Sequence, residues 1–400
     1  MKTSNRKLHY FNPGHETAIQ SGMIHYTPRA SVRKMTTDLA LLPLWYGKNE
    51  DYILIDESSD SSIFLNTIPE ELRPTLRPIT HSELKTQTFQ EKIEVLPWGL
   101  SPQAIHFFET LQSENKQLII PQWKDEYAIL TGRETAAGYL KQIQDILPEF
   151  RIINPPQFCI NPDAINDFIA TYPPPYILKM PYSSSGKGIY WLHNRHLDKL
   201  SMQWITGAIK RQGMVSIEPA LDKVCDFALE FESDGKGAVR YKSLSVFNTL
   251  PSGAFSGNML GTQQSLKKQV TNYIPEEEFE TIKKTIIRLL SEDLGMSYKG
   301  YFGVDMLIYR DNDSFAIHPF IELNLRFTMG LVAFHLSERL VHPSVNGNFI
   351  ISHNKNAYAS HLEMQKEFPL KLKEEKIQSG YFPLCPVSPD TNYQAYILIR

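Results

Sequence analysis

Phe320-Ile321-Glu322-Leu323-Asn324-Leu325-Arg326-Phe327-Thr328 places three polar residues at every second position of an otherwise apolar run. Side chains alternate faces along a strand, so Glu322, Asn324 and Arg326 are expected on one side and Ile321, Leu323, Leu325 and Phe327 on the other. A merely solvated strand face would favour Thr, Lys or Ser. A carboxylate, an amide and a guanidinium in series point instead to a face that carries chemistry.

The segment just upstream strengthens this reading. Tyr301-Phe302-Gly303-Val304-Asp305-Met306-Leu307-Ile308-Tyr309 is a second strand-like run, and the turn formers Asp311-Asn312-Asp313-Ser314 separate the two. Asp305 is its only charge, and a buried carboxylate is costly unless a cation or donors compensate it. A hairpin turning between Asn312 and Asp313 sets Asp305 opposite Phe320, with Glu322 as its same-face diagonal neighbour at about 7–8 Å. Two carboxylates and an amide oxygen at that spacing suit Mg²⁺, a hard ion that takes oxygen ligands and keeps phosphates as further partners. The geometry depends on register, because a slip of one residue would put the acids on opposite faces.

At these residues the chain resembles the ATP-grasp superfamily, in its carboxylate-amine or thiol ligase-like branch. That family carries an acidic residue on one strand and Glu-x-Asn on a following one, frequently with Arg two positions later. The resemblance implies Asp305, Glu322 and Asn324 as metal ligands for Mg²⁺, with Mn²⁺ as a substitute, and Arg326 facing the transferred group.

Further elements occur in the family's order. Tyr176-Ile177-Leu178-Lys179-Met180 follows Pro173-Pro174-Pro175 and leads into Pro181-Tyr182-Ser183-Ser184-Ser185-Gly186-Lys187-Gly188 and the apolar Ile189-Tyr190-Trp191-Leu192. This reads as strand, Ser/Gly turn, strand. Backbone N–H groups and hydroxyls of such a turn can approach phosphate oxygens, and Lys187 adds a cation. It is not a Walker loop, since Pro181 stands at the first glycine position and a strand follows instead of a helix. The resemblance implies that Lys179 reaches the nucleotide phosphates and that Ser183, Ser184, Ser185, Gly186, Lys187 and Gly188 form a lid over them, with Lys187 and Arg326 as the catalytic cations. In Met214 to Leu221 the resemblance implies Glu218 at the hinge whose backbone borders the adenine, with Leu221 a further cofactor-binding candidate. Asp226 fits the ribose position, and Asp222 rivals it. Beyond Val239 to Val246, the Gly/Ser/Asn loop to Asn258 makes Arg240, Lys242 and Asn258 candidates for facing phosphates or acceptor substrate.

Leu8 to Phe11 reads as an opening strand delivering Asn12, Gly14, His15 and Glu16 at its carboxyl end, where ligands of open parallel sheets gather. These four are candidate acceptor-site residues. Arg29 to Leu44 has helical periodicity, Tyr52 to Ile55 and Ile93 to Leu96 are strand-like, and Pro102 to Leu111 and Thr131 to Ile146 read as helices. The expected class is α/β (α+β): two ATP-grasp lobes sandwiching the nucleotide, preceded by a small parallel α/β domain. The expected segments are 1–130 (pre-ATP-grasp-like domain), 131–213 (first nucleotide lobe), 214–340 (second lobe with the metal site) and 341–400 (C-terminal extension). That last segment holds an amphipathic Lys/Glu stretch near Met364 to Lys376 and a strand candidate from Gln394 to Ile399.

Composition bounds the partners. Of 400 residues, 42% are hydrophobic, enough for more than one core, and the net charge of −3 with dispersed Lys and Arg gives no footprint for nucleic acid. Cys159, Cys225 and Cys385 are odd in number and far apart, which fits a reducing compartment better than a disulfide framework. No secretory h-region follows Lys2 to Lys7, and no run approaches the ~18 apolar residues of a membrane helix. The expectation is a cytoplasmic enzyme of small molecules, with no nucleic-acid or membrane partner. It would use ATP to phosphorylate a carboxylate and join the acyl phosphate to an amine or other nucleophile. The alternatives are a small-molecule kinase of the same fold, which would leave a stable phosphorylated product, and a non-catalytic nucleotide-binding protein, which could dispense with the metal ligands.

Overall fold

The computed structural model describes residues 5–57, 61–183, 188–250 and 253–400, apart from the side chain of Ser113. Two compact units divide the chain: Met1–Lys124 with Ser256–Gln263 and Arg326–Arg400, and Asp125–Phe255 with Gln264–Leu325. The four-segment scheme did not foresee the two returns to the first unit, and residues 341–400 belong to that unit instead of standing apart.

The first unit opens with a five-stranded parallel sheet in the spatial order Arg77–Thr80, Tyr52–Ile55, Lys7–Tyr10, Ile93–Pro97, Leu118–Ile119. Tyr52–Ile55 is a short apolar run buried along its whole length, as a parallel strand covered on both faces is. Leu8, Leu54, Ile79, Val95 and Phe108 build the core on one side. Strand order reverses between Lys7–Tyr10 and Ile93–Pro97, so the carboxyl ends of these two strands form the topological switch point. The helical stretch expected from Arg29 to Leu44 is divided into a helix, Ala30–Asp38, and a 3₁₀ turn, Leu42–Trp45. Pro43, which lacks the N–H an α-helix interior needs, sits in that turn.

The same unit closes with antiparallel strands: Phe255–Leu260 beside Gly347–His353, then Tyr393–Ile399, then Lys376–Pro383, then Lys371–Lys373. The Lys/Glu stretch at 364–376 is the end of one helix, Ala357–Glu367, followed by a hairpin that turns at Glu374 and Glu375, with φ of 50° and 60°.

The second unit holds two antiparallel sheets. One has the order Gln157–Cys159, Val215–Pro219, Tyr176–Lys179, Ile189–Leu192. Helices Pro162–Thr171 and Lys199–Gln212 pack on it through Ile165, Phe168 and Ile205 against Tyr176, Leu178 and Ile217. The other includes Ser314–Asn324, Lys299–Asp311, Asp222–Asp234 and Val239–Thr249, in that order. Helix Glu276–Asp293 lies on it, Phe279 meeting Phe227. Among the described residues no helix is long and apolar enough to cross a membrane.

Candidate active site

The acidic hairpin turns where the sequence places it, at Asn312-Asp313, with Asn312 at φ 54° and Asp311 paired to Ser314. Its register then departs from expectation. Leu307 pairs with His318 as a regular two-residue hairpin requires, but Asp305 pairs directly with Glu322, and Gly303 with Asn324. Between these pairs Met306 alone faces Pro319, Phe320 and Ile321. Pro319 cannot donate to the ladder, and a bulge is where a strand accommodates such a residue. The offset is two residues, so the side-chain face is preserved: Asp305, Glu322 and Asn324 still share one side, with the acids opposite each other instead of diagonal. The bulge also turns Phe320 onto Tyr139 of helix Arg133–Ile146, ring centroids 4.8 Å apart.

That helix supplies a residue the sequence reading left without a role. Arg133, its first residue, is 8% exposed. Its Nε donates to the carbonyl of Met180 at 3.1 Å, and its Nη2 lies 3.3 Å from Ser183 Oγ and 3.5 Å from Glu322 Oε1. One guanidinium thus touches both the end of the lysine strand and the acid pair.

Lys179 and Glu218 form an ion pair across neighbouring strands, each 13% exposed. Lys179 stands opposite Ser216, two residues before Glu218, so all three share a face. Burial alone would raise the Glu218 carboxyl, yet Lys179, His318 and Arg133 together hold it below the usual range. His318 completes this cleft, which Arg133, Lys179, Ser216, Glu218, His318 and Phe320 line. Burial lowers its imidazole to about 4, with Lys179 acting in the same direction and Glu218 opposing, so it is neutral at pH 7. The signal for His318 was present in the sequence, since it extends the alternate-position pattern of Glu322 and Asn324 upstream. Arg133 had a weaker signal: a charge directly after Gly132 at the start of a helix.

The remaining nucleotide-side candidates fall around this cleft or apart from it. Ser183 and Gly188 face each other at the neck of the Ser/Gly turn. A Cβ on Gly188 would lie 2.3 Å from that of Ser183, and the Met180 N–H donates to the Gly188 carbonyl at 2.9 Å. Gln212 anchors the same neck by bonding both the N–H and the carbonyl of Tyr182, each at 2.9 Å. Ser184, Ser185, Gly186 and Lys187 lie outside the described residues. Leu221 links strand Val215–Pro219 to strand Asp222–Asp234, its carbonyl accepting from Lys223 N–H. Asp226 is held by Lys223 and by the Thr249 hydroxyl at 3.0 Å, whereas Asp222 is exposed and pairs with Arg310 at 3.3 Å. Arg240 is exposed, and Lys242 pairs with Glu232 at 3.1 Å.

Six other candidates belong to the first unit. Asn258, expected in a loop, lies within strand Phe255–Leu260 opposite Phe349; it is buried, its Oδ1 without a hydrogen-bond partner. Arg326, expected to extend the strand face of Glu322 and Asn324, follows that strand's end at Asn324 and instead bridges Gly99. Its Nε donates to Glu16 Oε1 at 2.8 Å. The residues after the opening strand gather at the switch point. The Asn12 amide bonds both the carbonyl and the N–H of Gly99, at 2.8 and 3.1 Å. Gly14 precedes helix His15–Ser21, and a Cβ on it would lie 2.6 Å from Val32 Cγ1. His15 is 2% exposed, its ring against Gly99, and burial lowers its imidazole to about 4, Glu16 opposing and Arg326 adding to the shift.

No protein-family model matches the chain, and no curated protein matches it in sequence. Solved structures do. Biotin carboxylase from Campylobacter jejuni, in complex with β-γ-ATP, aligns over 98% of this chain and 87% of its own at TM-score 0.55 and 10% identity. The biotin carboxylase domain of Hydrogenobacter thermophilus 2-oxoglutarate carboxylase, with MgADP and bicarbonate, aligns over 100% and 87% at TM-score 0.52 and 10% identity. Phosphoribosylamine–glycine ligase from Thermotoga maritima aligns over 98% and 92% at TM-score 0.50 and 12% identity. The chain has the ATP-grasp fold.

Proposed function

We propose that this protein is an ATP-dependent ligase: it transfers the γ-phosphoryl group of ATP to a substrate carboxylate and joins the acyl phosphate to an amine or another nucleophile. The observation that carries the reading is the direct opposition of Asp305 and Glu322 on the face shared by Asn324. Like charges directly opposite each other in a ladder are destabilising, and a divalent cation offsets that repulsion. Two carboxylates and an amide are an all-oxygen donor set suited to Mg²⁺. Asp305, Glu322 and Asn324 would hold the ion, which would supply charge neutralisation on the phosphates.

The chain's own residues do the rest. Lys179 and Arg133 place two cations at the cleft where the phosphates would lie, Glu218 and Leu221 border the base, and Asp226 takes the ribose hydroxyls. Arg326 is the cation assigned to the transferred group, and Asn12, Gly14 and His15 are assigned to the acceptor. In the first step a carboxylate oxygen bonds to the γ-phosphorus as the bond to ADP breaks. In the second the nucleophile bonds to the acyl carbon, phosphate leaves, and the nucleophile gives up its proton. Catalysis here is positioning and electrostatic stabilisation. The fold's likeness to proteins solved with ATP analogue and MgADP supports the choice of nucleotide.

The test is a screen of amino acids and small carboxylates for ADP release, with hydroxylamine added to trap an acyl phosphate as hydroxamate. A phosphate ester in place of the hydroxamate would make the protein a kinase. Glu322→Gln keeps the side chain's size and removes one ligand charge, so it should abolish turnover with the thermal midpoint nearly unchanged. Turnover at the wild-type rate in that variant, or with the metal chelated, would sink the metal assignment.

A further inference from the structure

The geometry points to Glu16 as a positioning residue, one that acts through Arg326 and does not itself contact the substrate. The inference rests on the ligase reading for the work Arg326 does, but the pairing itself stands on the structure alone.

Arg326 does not project from a regular strand, so nothing in a strand's geometry aims its side chain. Its backbone is fixed: it bridges Gly99, and the next N–H, that of Phe327, donates to the Trp98 carbonyl at 3.0 Å. The Phe327 ring packs on Tyr46 at 4.6 Å and on Trp98 at 6.0 Å. A long arginine side chain on that anchor keeps its rotamer freedom unless its head is held. Two bonds hold it, Nε to Glu16 Oε1 at 2.8 Å and Nη1 to the Phe327 carbonyl at 3.2 Å. The first is charge-assisted, the stronger class of hydrogen bond. With 20% and 16% of the two side chains exposed, the pair is only weakly screened by solvent.

Glu16 is itself held. It is the second residue of the helix that starts from the carboxyl end of the central strand. Gly99, which bridges Arg326, is also the residue that Asn12 grips on both of its backbone groups. Asn12 bonds Gly99, Gly99 bridges Arg326 and Arg326 bonds Glu16, a series of contacts whose two ends are joined by the chain from Asn12 to Glu16. A carboxylate already engaged by a guanidinium is poorly placed to receive a substrate amine, yet it is well placed to orient the guanidinium. Losing that orientation costs rate instead of affinity, and misplacement of a catalytic group by about 1 Å is worth on the order of 100-fold.

The experiment measures ADP release from MgATP with a mixture of the twenty common amino acids as probe. Glu16→Ala should lower kcat about 10- to 100-fold with KM for ATP within about twofold. Glu16→Gln, which keeps an acceptor oxygen, should recover most of the loss. Because Glu16 acts through Arg326, adding Glu16→Ala to Arg326→Ala should cost nothing further. Losses that multiply in the double variant, or a raised KM for the amino acids with kcat intact, would overturn the inference by giving Glu16 a role of its own. A parallel cycle of thermal midpoints on Glu16→Ala, Arg326→Ala and the double variant reads the pairing without activity. Additive shifts there overturn it; a clear departure from additivity supports it. If the wild-type enzyme turns over with no acid at all, the ligase reading fails, and the midpoint cycle alone decides the pairing.

Discussion

Glu218 stays below the usual carboxylate range despite its burial because Lys179, His318 and Arg133 surround it, Lys179 foremost. Truncating one partner of such a pair leaves an uncompensated charge, which typically costs about 3–5 kcal/mol. Lys179→Met should therefore lower the thermal midpoint markedly, and adding Glu218→Gln should restore part of the loss. Two strictly additive losses would show that the pair is not energetically joined. Two of the buried histidines make a separate claim about pH. His15 and His318 are each lowered to about 4 in the folded chain and return to about 6.5 when it unfolds. The unfolded state then binds more protons between those values, so stability is fully present above pH 6.5 and is lost as pH falls toward 4. Glu218, with its depressed carboxyl, adds to the loss only at the acid end. Midpoints measured from pH 7 to pH 4 should fall along this course, and His15→Asn or His318→Asn should flatten the slope above pH 5.

Among the elements, the carboxyl ends of the central parallel strands are packed too tightly for a larger residue. A Cβ on Gly99 would stand 2.3 Å from the His15 ring. Gly99→Ala should cost about 1–3 kcal/mol, the usual range for overpacking. Combined with His15→Ala it should cost less than the two substitutions summed, because the smaller side chain yields the space. Unchanged stability in Gly99→Ala would show that the ring has room to move. The strands and helices themselves were largely legible in the sequence, because alternation and turn residues are local signals: Tyr52–Ile55, Ile189–Leu192 and the turn at Asn312-Asp313 lie where the pattern puts them. The acidic register was not, since counting outward from a turn assumes an unbroken ladder and Pro319 breaks it. Nor were the partners of Arg326 and Arg133. Glu16 is 310 positions from Arg326, and no local pattern announces a pairing over that distance.

At the scale of the molecule, the chain crosses between its two compact units four times, and the last 75 residues return to the first. In the sequence, residues 341–400 look like an extension because their motifs carry no recognisable chemistry. They make contacts within the first unit. The Trp45 indole donates to the Leu384 carbonyl at 2.7 Å and packs on Phe382, and the buried Asp38 carboxylate accepts from the N–H groups of Asn392 and Tyr393 at 2.9 and 3.0 Å. A chain ending at residue 340 keeps every candidate site residue but leaves Trp45 uncovered and Asp38 without those donors. It should unfold at a much lower temperature than the full chain or fail to fold, as read by circular dichroism. A truncated protein as stable as the full one would restore the segment to the status of an appendage.

The offset at Pro319 sets a rule for how this hairpin can change over time. Because side chains alternate, gaining or losing a single codon between His318 and Glu322 would rotate Glu322 and Asn324 to the far side of the sheet, separating them from Asp305. A change of two codons would slide the acids along the ladder and leave all three together. Inheritance at this bulge is thus counted in pairs, and a lineage that drifted by one would lose the acid pair in a single step while its composition hardly changed.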